Sequence, residues 1–133
     1  MTKTLEEKIK LIRSPNRLTA RQVIRQFISD FFEVHGDRLL GDDPALTAGI
    51  GLFHKQPVNV LGINRGSNIQ QRRELNGGAV RVTGYRKALR VVEAAEKFKR
   101  PVISLINMPG ADASAFSEEH GQSEAIADLI LKM

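Results

Sequence analysis

The sequence predicts an α/β fold built from strand-strand-helix units and preceded by a helix. Apolar residues recur at helical spacing before residue 34 and again between residues 85 and 98. Short, mostly apolar runs lie at residues 45–53, 58–63 and 102–106, and the second of them contains several β-branched residues. The resulting order is helix, then strand-strand-helix, then strand-helix, and such alternation is typical of α/β domains.

The N-terminal part divides into an arm and the start of a domain. Ser14-Pro15-Asn16 separates a short helix within residues 1–18 from the rest, so we treat these residues as an arm. Thr19 and Gln22 have capping-box spacing. We therefore expect a helix from Thr19 to Val34 at the start of a domain that spans residues 19–133. Its apolar face would consist of Val23, Ile24, Phe27, Ile28, Phe31 and Phe32.

Two strands are expected next. The first runs from Ala45 to Phe53, and the second runs from Val58 to Ile63 after a short polar connection. This pair predicts a hairpin. Residues 64–83 are predicted to form a long polar loop, and loops of that length are commonly functional or mobile.

The last third is expected to hold a helix, a strand and a helix. Residues 102–106 are short and apolar, which predicts a buried strand. Ser117 is predicted to cap the last helix, with Glu118 and Glu119 in its first turn. The helix before this strand would present one apolar face made of Tyr85, Ala88, Leu89, Val92, Ala95 and Phe98.

Composition excludes several classes of function. The chain has 133 residues and no cysteine, so disulfides, thiol catalysis and thiolate zinc sites are ruled out. His35, His54 and His120 lack the spacing of metal ligands, and we expect no metal site. The apolar runs are too short to span a membrane and the N-terminus lacks a signal-peptide core, so a cytoplasmic protein is expected.

Positive charge is concentrated in one segment. The formal net charge is +5, and residues 65–90 supply that surplus against a single acid, Glu74. Such a cluster suits phosphate groups, an acidic partner or nucleic acid, and a solvated basic surface explains it equally well. The basic residues are Arg65, Arg72, Arg73, Arg81, Arg86, Lys87 and Arg90.

A Pro-Gly loop follows the third strand and is the candidate catalytic element. A strand that leads into such a loop and then into a capped helix leaves main-chain N–H groups free at the sheet edge. The amides of Gly110 and Ala111 are therefore candidate donors to a carbonyl oxygen or an anion. Asn107 either orients the loop by bonding to its backbone or contacts substrate.

Five stretches carry a resemblance to a known family. From Arg17 to Met133 the chain resembles the bacterial acetyl-CoA carboxylase carboxyltransferase subunit alpha, with the same order and near-identical spacing. The stretches that carry the resemblance are Phe31–Arg38, Gly41–Ala45, Gly84–Arg90, Ala95–Phe98 and Glu118–Ala127.

The resemblance implies a crotonase (ClpP/crotonase)-like fold and a defined reaction. Members pair with a beta subunit and transfer a carboxyl group from carboxybiotin, held on a separate biotin carboxyl carrier protein, to acetyl-CoA. The product is malonyl-CoA for fatty acid synthesis. Main-chain N–H groups would stabilise the negative oxygens, with no side-chain nucleophile. The match favours a contact with CoA phosphate or the beta subunit for Arg86, Lys87 and Arg90, and substrate binding for Arg65 and Asn107.

The chain also departs from the family pattern. Where the family has Asp-Thr-Pro-Gly-Ala-Tyr-Pro-Gly, residues 107–114 read Asn-Met-Pro-Gly-Ala-Asp-Ala-Ser, and residues 64–67 replace a Lys-Gly-Arg. The family's later Gly-Gly-Ser-Gly-Gly segment, which contacts carboxybiotin, would lie beyond Met133. The expectation is therefore the first portion of the crotonase-like domain, truncated at its C-terminus.

Three functions remain open at this point. The first is a carboxyltransferase subunit, or part of one, that acts with a beta partner. The second is a noncatalytic remnant that binds a partner through exposed apolar surface, as an oligomer. The third is a basic nucleic-acid-binding domain, suggested by the charge between Arg65 and Arg90.

Overall fold

The computed structural model describes residues 2–133, which form one mixed sheet flanked by helices. The sheet order is β1-β2-β3-β4, with antiparallel pairs except for β4, which runs parallel to β3. The strands are β1 (Ser29–Val34), β2 (Leu46–Phe53), β3 (Gln56–Ile63) and β4 (Val102–Leu105). The helices are α1 (Leu5–Ile12), α2 (Ala20–Phe27), α3 (Ile69–Glu74), α4 (Val82–Lys97), α5 (Ala115–Glu119) and α6 (Gln122–Lys132).

The core lies on both faces of the sheet. Alternate residues of β3 point to opposite sides, as the strand period of two requires. Val60 packs with Ile24 of α2 on one side, whereas Leu61 packs with Val91 of α4 on the other. The sheet is therefore a middle layer between α2 and α4, and the predicted α/β class is confirmed. The β2-β3 hairpin and the capping box of Thr19 are also as predicted.

The predicted helix from Thr19 to Val34 is wrong in its second half. The helix ends at Phe27, and residues 29–34 form β1. Phe31 fits a strand because its ring packs on the α2 side of the sheet, while Phe32 is 70% exposed. Gly49 makes this pairing possible, since a Cβ there would collide with the Phe32 carbonyl and the Phe31 ring. Sheet pairing overrides the helical spacing of these apolar residues.

The predicted loop at residues 64–83 is largely structured. It contains α3, whose first turn is capped by Asn68, and a single 3₁₀ turn at Asn76–Gly78. Three successive residues of this turn have positive φ, with values of 48°, 58° and 85°. Two of them are glycines, which adopt this conformation without a Cβ clash.

Three smaller predictions also need correction. Phe98 does not belong to the buried face of α4 and is 57% exposed, because the helix ends one residue earlier. Ser117 is not a cap: Ser114 caps α5, and α6 begins after Gly121. Strand β4 is only half-buried, since it forms an edge of the sheet. Helix α1 buries no residue, and the division between an arm and a domain at residue 18 stays a prediction.

Candidate functional site

The loop after β4 leaves the sheet and reaches solvent at Gly110 and Ala111. A Cβ added to Gly110 would meet no atom within 4 Å. Neither main-chain N–H has a hydrogen-bond partner among residues 2–133. Because an unpaired amide at the surface is free to donate, both groups are available to a ligand oxygen.

Asp112 anchors the far end of this loop. Its N–H donates to the Val80 carbonyl over 3.0 Å, and Asn76 Nδ2 donates to its Oδ1 over 3.0 Å. Its Oδ2 accepts hydrogen bonds from the hydroxyls of Ser114 and Ser117. Burial alone would raise the pKa of the Asp112 carboxyl, but these bonds outweigh it and the pKa lies below its usual value.

Gln122 is the second anchor of the loop. Its side chain is 2% exposed at the start of α6, and Nε2 donates to the carbonyls of Val80 (2.9 Å) and Asp112 (3.0 Å). The loop is thus fixed by β4 at one end and by Asp112 and Gln122 at the other. Residues 109–111 between these anchors stay exposed.

Lys87 is buried inside the protein rather than exposed at a basic surface. It is 1% exposed, and its Nζ donates to Asp42 Oδ1 (2.5 Å) and to the Asp43 carbonyl (2.8 Å). Burial would raise the pKa of Asp42. Hydrogen bonds from Lys87, the Gly36 amide and His35 instead hold that pKa well below its usual range.

Arg86 and Arg90 are also engaged within the fold. Arg86 Nη2 donates to the His120 carbonyl over 2.5 Å, and its Nη1 lies 3.9 Å from Asp37 Oδ2. Arg90 Nη2 donates to the carbonyls of residues 35 and 36, each over 2.9 Å. These two side chains and Lys87 clamp residues 35–43 onto α4. The structure does not bring them to the Gly110 loop as one site.

Arg65 and Asn107 are brought together, by contrast, beside that loop. Both line a small cleft next to the end of β4. Gly78 makes their proximity possible: a Cβ there would lie 3.2 Å from the Asn107 carbonyl and 3.3 Å from Arg65 Cα. A side chain at this position would push the two strand ends apart.

An apolar cavity of about 240 Å³ lies under the loop, between the sheet and α6. Met108 belongs both to the loop and to the wall of this cavity, so the candidate amides and the cavity share one segment. Sequence patterns did not indicate it, because its walls come from distant elements. They include Leu61, Tyr85, Leu105, Met108, Leu129 and Met133.

The part of the chain that the structure describes offers neither a metal-binding cluster nor a membrane-spanning helix. Residues 2–133 contain no cluster of three or more His, Asp or Glu arranged to hold a metal ion. In the same range no helix has the length and apolar character that a membrane crossing requires. The cytoplasmic location expected from the sequence stays a prediction.

Solved structures share this architecture. Transcarboxylase 12S, a hexamer solved with methylmalonyl-coenzyme A, superposes with a TM-score of 0.69 at 15% identity over 99% of this chain and 30% of its own. A Pseudomonas malonate decarboxylase hetero-tetramer gives a TM-score of 0.63 at 20% identity over 96% of this chain and 49% of its own. Together with the sheet and helices described above, these neighbours confirm the crotonase-like fold.

The sequence comparisons are more specific. Residues 2–133 match the family described as acetyl co-enzyme A carboxylase carboxyltransferase-like. The acetyl-coenzyme A carboxylase carboxyl transferase subunit alpha of Halalkalibacterium halodurans is 46% identical over 96% of this chain and 39% of its own length. The corresponding subunit of Clostridium perfringens is 43% identical over 95% of this chain and 46% of its own length. This chain spans less than half the length of these curated relatives. Because the family model matches residues 2–133, the chain belongs to the acetyl-CoA carboxylase carboxyltransferase family.

Proposed function

We propose that this chain contributes the alpha-subunit part of a biotin-dependent carboxyltransferase. The reaction would move a carboxyl group from carboxybiotin, on a separate carrier protein, to acetyl-CoA and so form malonyl-CoA. Two supports carry this proposal: the family of the chain, and the two unpaired amides on a loop that is anchored at both ends. The nucleic-acid and remnant alternatives receive no support from the family match.

The loop amides suit the charge that develops in this reaction. The acetyl methyl group loses a proton to give an enolate, and the enolate carbon bonds to the carboxyl carbon as the bond from that carbon to the biotin nitrogen breaks. The ureido group of biotin keeps the electron pair of the broken bond and takes up a proton in turn. Negative charge rests on the thioester oxygen while the enolate exists, and on the ureido oxygen of biotin when the carboxyl group leaves it. Amides fixed before the reaction stabilise such an oxygen without reorganising. We propose that the N–H groups of Gly110 and Ala111 bind one of these two oxygens.

Asp112 and Gln122 would then be positioning residues. Neither needs to touch substrate, because each holds the backbone that carries the donors. Substrate binding is proposed for Arg65 and Asn107, which lie together beside the loop. A direct contact of Arg86, Lys87 or Arg90 with CoA would require these side chains to leave their internal partners. We therefore assign them the task of holding residues 35–43 in place.

A beta subunit and a biotin carboxyl carrier protein are the proposed partners. The relatives are named as subunits, which supports an assembly of several chains. Strand β4 is an edge strand, and Ile106 (74% exposed) and Met133 (63% exposed), which line one cavity with Leu105 of β4, add apolar surface near it. An open edge with such residues suits contact with another subunit.

Reconstitution tests the proposed activity. The full chain is mixed with a beta subunit, carboxylated carrier protein and acetyl-CoA, and malonyl-CoA is measured. We expect product that depends on all components. No product at any ratio of the subunits would reject the activity for this chain.

Ala111→Pro tests the role of the loop, because proline removes one N–H donor. We expect a loss in turnover of about 10²–10³-fold, as for other oxyanion donors. Ala111→Ser is the matched control, since it keeps the amide at an exposed position, and it should retain activity within about threefold. Equal activity of the proline variant and the control would exclude this amide as a donor.

A further inference from the structure

Four arginines from two distant segments meet at one cleft. Arg13 and Arg17 come from the N-terminal segment after α1, and Arg65 and Arg72 come from the segment after β3. Asn107 completes the lining from the end of β4. Neither segment alone has this concentration of positive charge, so the cleft is a product of the fold.

Local geometry holds both segments in place. Arg17 Nη1 donates to the Ile12 carbonyl over 3.2 Å, which closes the turn after α1. Gly66 has φ +85°, and a Cβ there would lie 2.7 Å from the Arg72 amide. Arg72 Nε in turn donates to the Gly66 carbonyl over 3.4 Å. The turn at Gly66 therefore folds Arg72 back toward the side of the chain that carries Arg65.

No acid compensates this charge. No Asp or Glu lines the cleft, and among residues 2–133 the side chains of Arg13 and Arg65 have neither a hydrogen bond nor an ion pair. Asn107 likewise keeps its side-chain amide unpaired in that range. Like charges gathered without a counter-charge repel one another, and an anion would relieve the repulsion.

The size of the cleft restricts the anion. Its volume is about 20 Å³, which is room for roughly one water-sized group. A phosphate oxygen fits this space, whereas a nucleobase or a sugar does not. Guanidinium groups also match phosphate oxygens in geometry, since their parallel N–H groups bind two oxygens at once.

We propose that this cleft is a binding site for a terminal phosphate group, held by Arg13, Arg65 and Arg72 with Asn107 as a further donor. The group comes either from the 3′-phosphate of CoA or from free inorganic phosphate. The first source rests on the proposed function, whereas the second does not. Asn107 lines the cleft and also belongs to the segment that leads to Gly110, so the cleft and the loop are connected.

Calorimetric titration of the full chain tests the proposal at low salt with CoA, 3′-dephospho-CoA and inorganic phosphate as probes. We expect CoA to bind at least about tenfold more tightly than 3′-dephospho-CoA. Arg65→Gln and Arg72→Gln should each weaken CoA binding about tenfold and leave 3′-dephospho-CoA unchanged. Arg73→Gln removes the same charge from an exposed position outside the cleft, and it should change the affinity by less than about twofold.

Each other outcome has a defined meaning. One outcome is that inorganic phosphate binding depends on the same arginines, while CoA and 3′-dephospho-CoA bind with equal affinity. This outcome supports the site and assigns it to free phosphate. Equal weakening by the Arg73 and Arg65 variants overturns the site, because general attraction to polyanions, nucleic acid included, then explains binding. No phosphate-dependent binding of any probe also overturns it. These titrations need no turnover, so phosphate binding without malonyl-CoA formation would count against the proposed activity alone.

Discussion

Two basic regions of this protein use the same residue types in opposite ways. On α4, Lys87 and its neighbours are bound to carboxylates and carbonyls of residues 35–43 and of the segment before α6. In the cleft beside β4, Arg13 and Arg65 have no such partners among residues 2–133. A count of charged residues would not distinguish the two regions and would treat both as one basic surface. The position of the acids decides which cations stabilise the fold and which stay available to a ligand.

Replacing the buried cation should have the largest effect. Lys87→Met keeps the aliphatic stem and removes the ammonium, so Asp42 Oδ1 and the Asp43 carbonyl each lose one hydrogen-bond donor. We expect the free energy of unfolding to fall by about 2 kcal/mol, because Lys87 is buried whereas Asp42 is 35% exposed and keeps His35 and the Gly36 amide as partners. Urea denaturation monitored by circular dichroism measures this loss.

Arg72→Met is the matched control, because it also exchanges one cation for methionine. Its side chain is exposed, has no ion pair among residues 2–133 and makes one long hydrogen bond, from Nε to the Gly66 carbonyl (3.4 Å), so the change should stay within about 0.5 kcal/mol. Equal losses for the two variants would show that the α4 region and the cleft do not differ in the way described.

Tight packing of α4 against Asp43 gives a second contrast. A Cβ at Gly84 would lie 2.5 Å from Val80 Cγ1 and 2.8 Å from Asp43 Oδ2. Gly84→Ala should therefore cost about 1–2 kcal/mol, since overpacking outweighs the gain in helix propensity. Gly110→Ala, in open space, should be neutral within about 0.5 kcal/mol. Thermal unfolding of both variants checks this, and a neutral Gly84→Ala would contradict the close contact.

Acid should weaken the contacts that hold residues 37–42 on α4. Burial would raise the pKa of Asp37, but the amides of Gly41, Leu39 and Leu40 and the charge of Arg86 lower it, and the pKa of Asp42 is also lowered. A lowered pKa in the folded state adds stability at pH values above the unfolded pKa of about 3.9, and this stability disappears as the pH falls below it.

The free energy of unfolding should therefore drop as the pH is taken from about 5 toward 2. Asp42→Asn should be less stable at pH 7 and should show a shallower dependence on pH, measured by urea titrations at each pH. The Arg72 variant should keep the slope of the unchanged protein. An unchanged slope in Asp42→Asn would show that Asp42 does not contribute to the pH dependence.

Local patterns were sufficient for much of the fold. The β2-β3 hairpin follows from two mostly apolar runs with a short polar connection, and the capping box of Thr19 is a property of four residues. The spacing of Phe31 and Phe32 was not sufficient, because the same residues satisfy helical and strand periods. Only the pairing with β2, and the absence of a side chain at Gly49, favours the strand.

The candidate site was less accessible to sequence reasoning. Gly110 and Ala111 are candidates because a Pro-Gly loop after a strand is a local signal. Lys87 was not recognised as buried, since its partner Asp42 lies 45 residues away in the chain. Asp112 and Gln122 were missed as anchors for a related reason: each bonds to Val80, more than thirty residues earlier. Contacts at such separation depend on the packing of α4 and α6.

The smallest expected effect concerns the cleft in the absence of ligand. Arg65→Gln removes one of several like charges in the cleft. It should leave the free energy of unfolding unchanged or raise it by no more than about 0.5 kcal/mol, so the unfolding midpoint should not fall. Added inorganic phosphate should raise the midpoint of the unchanged protein more than that of the variant, because a ligand stabilises only the state that binds it. Differential scanning fluorimetry at constant ionic strength measures both values, with chloride as the control anion. A clear loss of stability in Arg65→Gln would show that this side chain, like Lys87, supports the fold itself.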